Sequence, residues 1–96
     1  MSRPVQFKFR LYVAGGTPNS AQAVANLKTI CRVHLPDRHE IEIVDVFREP
    51  KRALAEGIFM TPTLVKLSPP PAKKIVGTLS QTETVLQALV LETVTA

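Results

Sequence analysis

The sequence predicts a single α/β domain over residues 1–96, with element order βαβαββα. Three observations predict it. Two strand-type apolar runs flank one long helical pattern, the signature of a parallel βαβ unit with a right-handed crossover. Two further short apolar runs are separated by prolines. A capping-box form then precedes apolar positions at helical spacing near the end. Such a chain is long enough for one domain and buries about two-thirds of its unfolded surface. At 45% hydrophobic and 21% charged residues it has a globular rather than a disordered balance.

Residues Phe7 to Ala14 alternate Phe7, Phe9 and Leu11 with Lys8 and Arg10 before turning wholly apolar, as a strand entering a core does. Gly15-Gly16 ends it. Thr17-Pro18 reads as an N-cap with proline at the first helical position. Val24, Leu27, Ile30 and Cys31 keep helical spacing from Asn19 to His34, until Pro36-Asp37. Glu40 to Phe47 is a second strand with a buried end. Pro50 opens a short helix over Lys51 to Glu56, and Gly57 suits the position just past it. Thr63 to Leu67 and Lys73 to Val76 are strands joined by Pro69-Pro70-Pro71. Ser80 and Glu83 have the capping-box spacing, so a helix is predicted from about Gln81 to Val94, with Val85, Leu86 and Leu89 as its apolar stripe.

Several functions are excluded by residue type. No apolar run approaches the roughly 18–20 residues of a membrane span, and no apolar signal core follows the first residues. A cytoplasmic setting is expected. Cys31 is the one cysteine, so no internal disulfide forms, and its place on the helical stripe makes it a core residue. Cys31, His34 and His39 lack the spacing of a metal site, and Gly15-Gly16-Thr17 lacks the Gly-Lys-Ser/Thr of a phosphate loop. No metal or cofactor is expected. The net charge of +4, from 12 basic and 8 acidic residues, suits an acidic surface. Nucleic acid is not the expected partner, because stacking aromatics among the basic residues are not evident.

The element order is that of a thioredoxin-like fold. Redox chemistry in that plan needs two cysteines at the first turn of the first helix, where the helix N-terminus lowers a thiol's pKa. Here that turn is Thr17-Pro18-Asn19-Ser20, so oxidoreductase activity is not expected. Met60-Thr61-Pro62-Thr63 puts a proline just before the third strand, where such folds carry a cis-proline; an ordinary trans proline starting a strand is the alternative.

The motifs Tyr12-Val13-Ala14-Gly15, Thr17-Pro18-Asn19-Ser20, Val44-Asp45-Val46, Thr61-Pro62-Thr63-Leu64, and Pro69-Pro70-Pro71 with Lys73-Lys74-Ile75-Val76-Gly77 together resemble the KaiB family of the bacterial circadian clock. The resemblance implies a non-enzymatic protein that binds the ring of a KaiC-type ATPase, sequesters KaiA-like proteins and competes with the thioredoxin-like domain of SasA. It also implies two folds: a βαββααβ ground state, usually a homotetramer, and a thioredoxin-like monomer that binds partners. The basic residues Arg10, Lys66, Lys73 and Lys74 match those of the family and are the expected partner-binding residues. Gln22 and Glu42 stand where clock members commonly carry positive charge, and Gly57 replaces a lysine. Pro62, Pro70, Pro71, Ser80, Glu83, Ala88 and Val90 are the expected fold-determining positions. Ala88 and Val90 replace the family's usual glycine and aspartate. Alanine favours a helix interior by about 0.5–1 kcal/mol over glycine, so the thioredoxin-like state is the one expected to dominate. The alternative function is a SasA-like sensor or adaptor without an oscillator role.

Overall fold

The computed structural model describes residues 6–91. Its elements are β1 (Phe7–Val13), α1 (Pro18–His34), β2 (His39–Asp45), α2 (Pro50–Ala55), β3 (Thr63–Ser68), β4 (Lys73–Val76) and α3 (Thr82–Leu86), and α3 runs on as a π-helical turn over Gln87–Leu91. The expected order βαβαββα is the observed one. The strands form one sheet in the order β2-β1-β3-β4. β1 pairs parallel with β2 and antiparallel with β3, and β3 pairs antiparallel with β4.

Period-two alternation divides the core between the two faces of this sheet. Phe7, Phe9, Leu11 and Val13 of β1 join Leu64 under Ala23, Leu27, Ile30 and Cys31 of α1 and under Val85 and Leu89 at the chain's C-terminal end. Tyr12, Val44 and Val65 point the other way and pack with Ala53 and Ile58 at α2. Cys31 is fully buried, and burial pushes its thiol up to about 11.

β2 ends at Asp45, two residues before the expected Phe47. The Asp45 carbonyl accepts the N–H groups of Arg48 and Glu49, which turns the chain into α2. The Asp45 carboxylate accepts from the N–H of Phe47 at 2.9 Å and of Gly15 at 3.3 Å, joining this turn to the one after β1. α2 ends in a Schellman arrangement. The N–H of Ile58 bonds to the Ala53 carbonyl and that of Gly57 to the Leu54 carbonyl, while Ala53 and Ile58 bury together. Gly57 has φ +73°, which explains the glycine.

Thr61–Pro62 is cis, as the thioredoxin-like pattern anticipates, and so are Ser68–Pro69 and Pro70–Pro71 in the connector. The capping box is corrected. Leu79 sits at φ +63° with its side chain buried, so the backbone becomes helical only after Gln81, which is the N-cap. The Ser80 hydroxyl instead accepts from the Thr78 hydroxyl at 3.2 Å, and Glu83 falls at the second helical position rather than the third. The helix around Ala88 and Val90 has π rather than α winding, and the predicted residues 92–94 lie outside the described residues. No helix among the described residues is long and apolar enough to cross a membrane, and among them no three metal-ligating side chains converge.

Candidate partner-binding face

Sheet parity decides which basic residues can act together. Glu42, Arg10, Val65 and Lys74 are successive partners across β2, β1, β3 and β4, so all four share the α2 face. Ile41, Phe9, Lys66 and Lys73 form the adjacent row and share the opposite face with α1 and α3. The four expected partner-binding residues are therefore divided in pairs. Lys66 is corrected as a surface residue: it is 0% exposed, and its Nζ donates to the Leu89 carbonyl at 3.5 Å. The C-terminal helix covers it, and a strand pattern read alone cannot reveal that cover.

On the α2 face an ion-pair network ties the short helix to the sheet. Arg52 grips Glu42 with two parallel bonds, Nη1 to Oε2 at 2.9 Å and Nη2 to Oε1 at 3.0 Å. Arg10 Nε also donates to Glu42 at 2.9 Å, while its Nη1 donates to Glu56 at 2.9 Å. The Tyr12 hydroxyl donates to the same Glu56 oxygen at 3.3 Å. Hydrogen bonds from Arg52 and then Arg10 hold the Glu42 carboxyl down at about 2. Burial pushes the Tyr12 hydroxyl up. Arg10 thus reaches the face already engaged by carboxylates. Lys74 differs: its Nζ donates to the main-chain carbonyl of Glu56 at 2.6 Å, an acceptor that satisfies one N–H without neutralising the charge.

Beside Lys74 lies a cleft of about 150 Å³ lined by Gly57, Ile58, Phe59, Met60, Thr63 and Val76. Phe59 is 84% exposed, Met60 63% and Val76 54%. Large apolar side chains gathered at one rim mark an interaction surface. Sequence reasoning passed over Phe59 and Met60, because they belong to no helical or strand period. Their signal was two large apolar residues in a loop ahead of a proline. At the redox turn, the Ser20 hydroxyl accepts the Ala14 N–H at 3.0 Å, and no thiol stands there.

A family model described as the KaiB domain matches residues 10–91. A protein named circadian clock protein KaiB3 from Synechocystis sp. is 48% identical over 80 residues, covering 83% of this chain and 78% of that one. The circadian clock oscillator protein KaiB of Gloeothece citriformis is 44% identical over 83 residues, covering 86% of this chain and 78% of its own. Among solved structures, the N-terminal domain of Synechococcus elongatus SasA superposes with a TM-score of 0.75 at 21% identity, over 95% of this chain and 90% of that one. The thioredoxin Deadhead of Drosophila melanogaster gives 0.71 at 14% identity, over 88% and 81%. At those identities the likeness is one of fold, and the fold is thioredoxin-like.

Proposed function

This chain belongs to the KaiB family of circadian clock proteins, and from that premise we propose that it acts without catalysis, by binding a KaiC-type ATPase in its thioredoxin-like form. The observation that carries this reading is the α2 face, where exposed Phe59, Met60 and Val76 adjoin Lys74, with Arg10 beyond them. A surface of apolar anchors within a charged rim is what a protein partner requires. Thr17 and Ser20 at the redox turn support binding over thiol chemistry. Arg10 and Lys74 supply charge to this interface, while Lys73 stands on the opposite face of the sheet and Lys66 acts from inside the fold. KaiA-like proteins are further partners of the bound state, SasA-like proteins compete for the same ring, and the cytoplasm is the setting. The fold described is the binding-competent one, in exchange with a βαββααβ tetramer, and Pro62, Pro70, Pro71 and Ala88 bear on that balance.

Light scattering on a size-exclusion column tests the proposal, with the chain mixed with the KaiC-type ATPase of its own genome. Co-elution with the hexameric ring is the expected result. Exposed pairs contribute about 0.2–1 kcal/mol each, so single alanines at Arg10 or Lys74 weaken binding modestly and the double variant more, while Lys73→Ala on the opposite face leaves binding unchanged. A wild-type chain that never co-elutes with the ring, at any nucleotide state, overturns the reading.

A further inference from the structure

β4 stands last in the strand order, so among the described residues its outer edge has no strand beside it. Such an edge offers main-chain N–H and C=O groups to another extended segment. Lysines there discourage pairing between copies of one chain, since like charges would meet. They do not discourage an acidic strand. The surroundings of this edge favour one. Lys74 and Val76 are two residues apart, point to the α2 face, and both line the cleft that Phe59 and Met60 also line. The cleft is thus continuous with the free edge. The carboxylates of Glu42 and Glu56 on this face are already engaged by Arg10 and Arg52, whereas the Lys74 ammonium meets a neutral carbonyl.

We infer that an extended segment of the partner adds to the outer edge of β4, sets an apolar side chain into the cleft between Phe59, Met60 and Val76, and brings a carboxylate beside Lys74. The mode is strand addition, in which main-chain bonds supply affinity and alternate side chains supply selectivity. A period of two places residues i and i+2 of the added strand on the α2 face. One meets the ammonium and the other the apolar rim. The segment is therefore acidic and apolar at alternate positions. This inference rests on the functional reading above, with the ATPase ring as the protein that carries the segment.

The test measures binding of the full chain to the KaiC-type ring by biolayer interferometry, with Phe59→Ser/Met60→Ser, Lys74→Glu, Lys74→Arg and Val33→Ser. Val33 is exposed on α1 and serves as the control. The first two variants are expected to lose at least about tenfold in affinity, as central anchors do. Lys74→Arg and Val33→Ser should stay within about twofold. Phe59 and Met60 are exposed, and circular dichroism should report an unchanged fold. Amide exchange on the complex should slow at Lys73–Val76. If the wild type binds while the Phe59/Met60 and Lys74→Glu variants also bind unchanged, the inference falls and the functional reading stands. Slowed exchange confined to His39–Asp45 overturns it equally. A wild type that does not bind the ring overturns both.

Discussion

Three donated hydrogen bonds meet at Glu42, two from Arg52 and one from Arg10, and they couple three elements through one carboxylate. Its pKa is depressed from 4.5 to about 2, so the contribution to stability is complete above 4.5 and is lost as pH falls towards 2. The group is half exposed, so the pairs are worth about 0.2–1 kcal/mol each rather than the full shift. Glu42→Gln should therefore lower the urea-unfolding free energy by about 1 kcal/mol at neutral pH and low salt. The difference should shrink in molar salt and below the lower pKa. Identical unfolding midpoints at neutral pH and low salt would show that the network contributes nothing. Gly57 makes a different residue-scale demand. Its φ of +73° closes the Schellman turn, so Gly57→Ala should cost about 1 kcal/mol, read as a lowered melting temperature. An unchanged melting temperature would mean that the turn relaxes without cost.

Among the elements, the C-terminal helix is weakly anchored in its own sequence. Only Val85 and Leu89 are buried in it among the residues whose side chains are described, and its N-cap has no side-chain bond. Tertiary cover, not capping, holds it on the sheet. Ala88→Gly with Val90→Asp should weaken it by on the order of 1 kcal/mol for the glycine, about fivefold in population. Loss of helical carbon shifts over residues 82–91 is the expected signature, and unchanged shifts would remove Ala88 from the fold-determining set. Lys66→Ala removes the donor to the Leu89 carbonyl. It should speed amide exchange over residues 85–91 more than over β4, which would separate a role beneath the helix from one at the surface. The regular elements were legible because their periods were clean: alternation in β1, spacing of 3.6 in α1, and glycine or proline at each end. The start of α3 was misread because Ser80 and Glu83 have box spacing, while the positive φ of the preceding Leu79 delays helical geometry. Nothing in the sequence marks the change to π winding at Gln87.

For the molecule as a whole, the fold keeps the thioredoxin-like frame and carries Thr17 and Ser20 at the turn where redox chemistry would need two cysteines. The one thiol, Cys31, is buried on the sheet-facing side of α1 with its pKa pushed up to about 11. No catalysed insulin reduction with dithiothreitol is expected, and a thiol reagent should label the chain only after denaturation. Turnover that Cys31→Ser abolishes would contradict this. The candidate face was half legible. Arg10 and Lys74 were named from their match to the family's basic residues, but Phe59 and Met60 were not, because loop residues reveal their exposure only once the chain is folded. Lys73 and Lys74 carry a last consequence. They are neighbours along the chain, yet one faces the C-terminal helix and the other the open cleft. Strand parity works like a two-letter reading frame: one set of positions spells the interior beneath α1 and the other spells the α2 face, with its second buried cluster and its open cleft. Inserting one residue within β3 or β4 would exchange the two messages at every position beyond it. An insertion in the 69–72 connector leaves the frame intact. Natural length variation in such chains should therefore gather in that connector and stay out of the strands on either side.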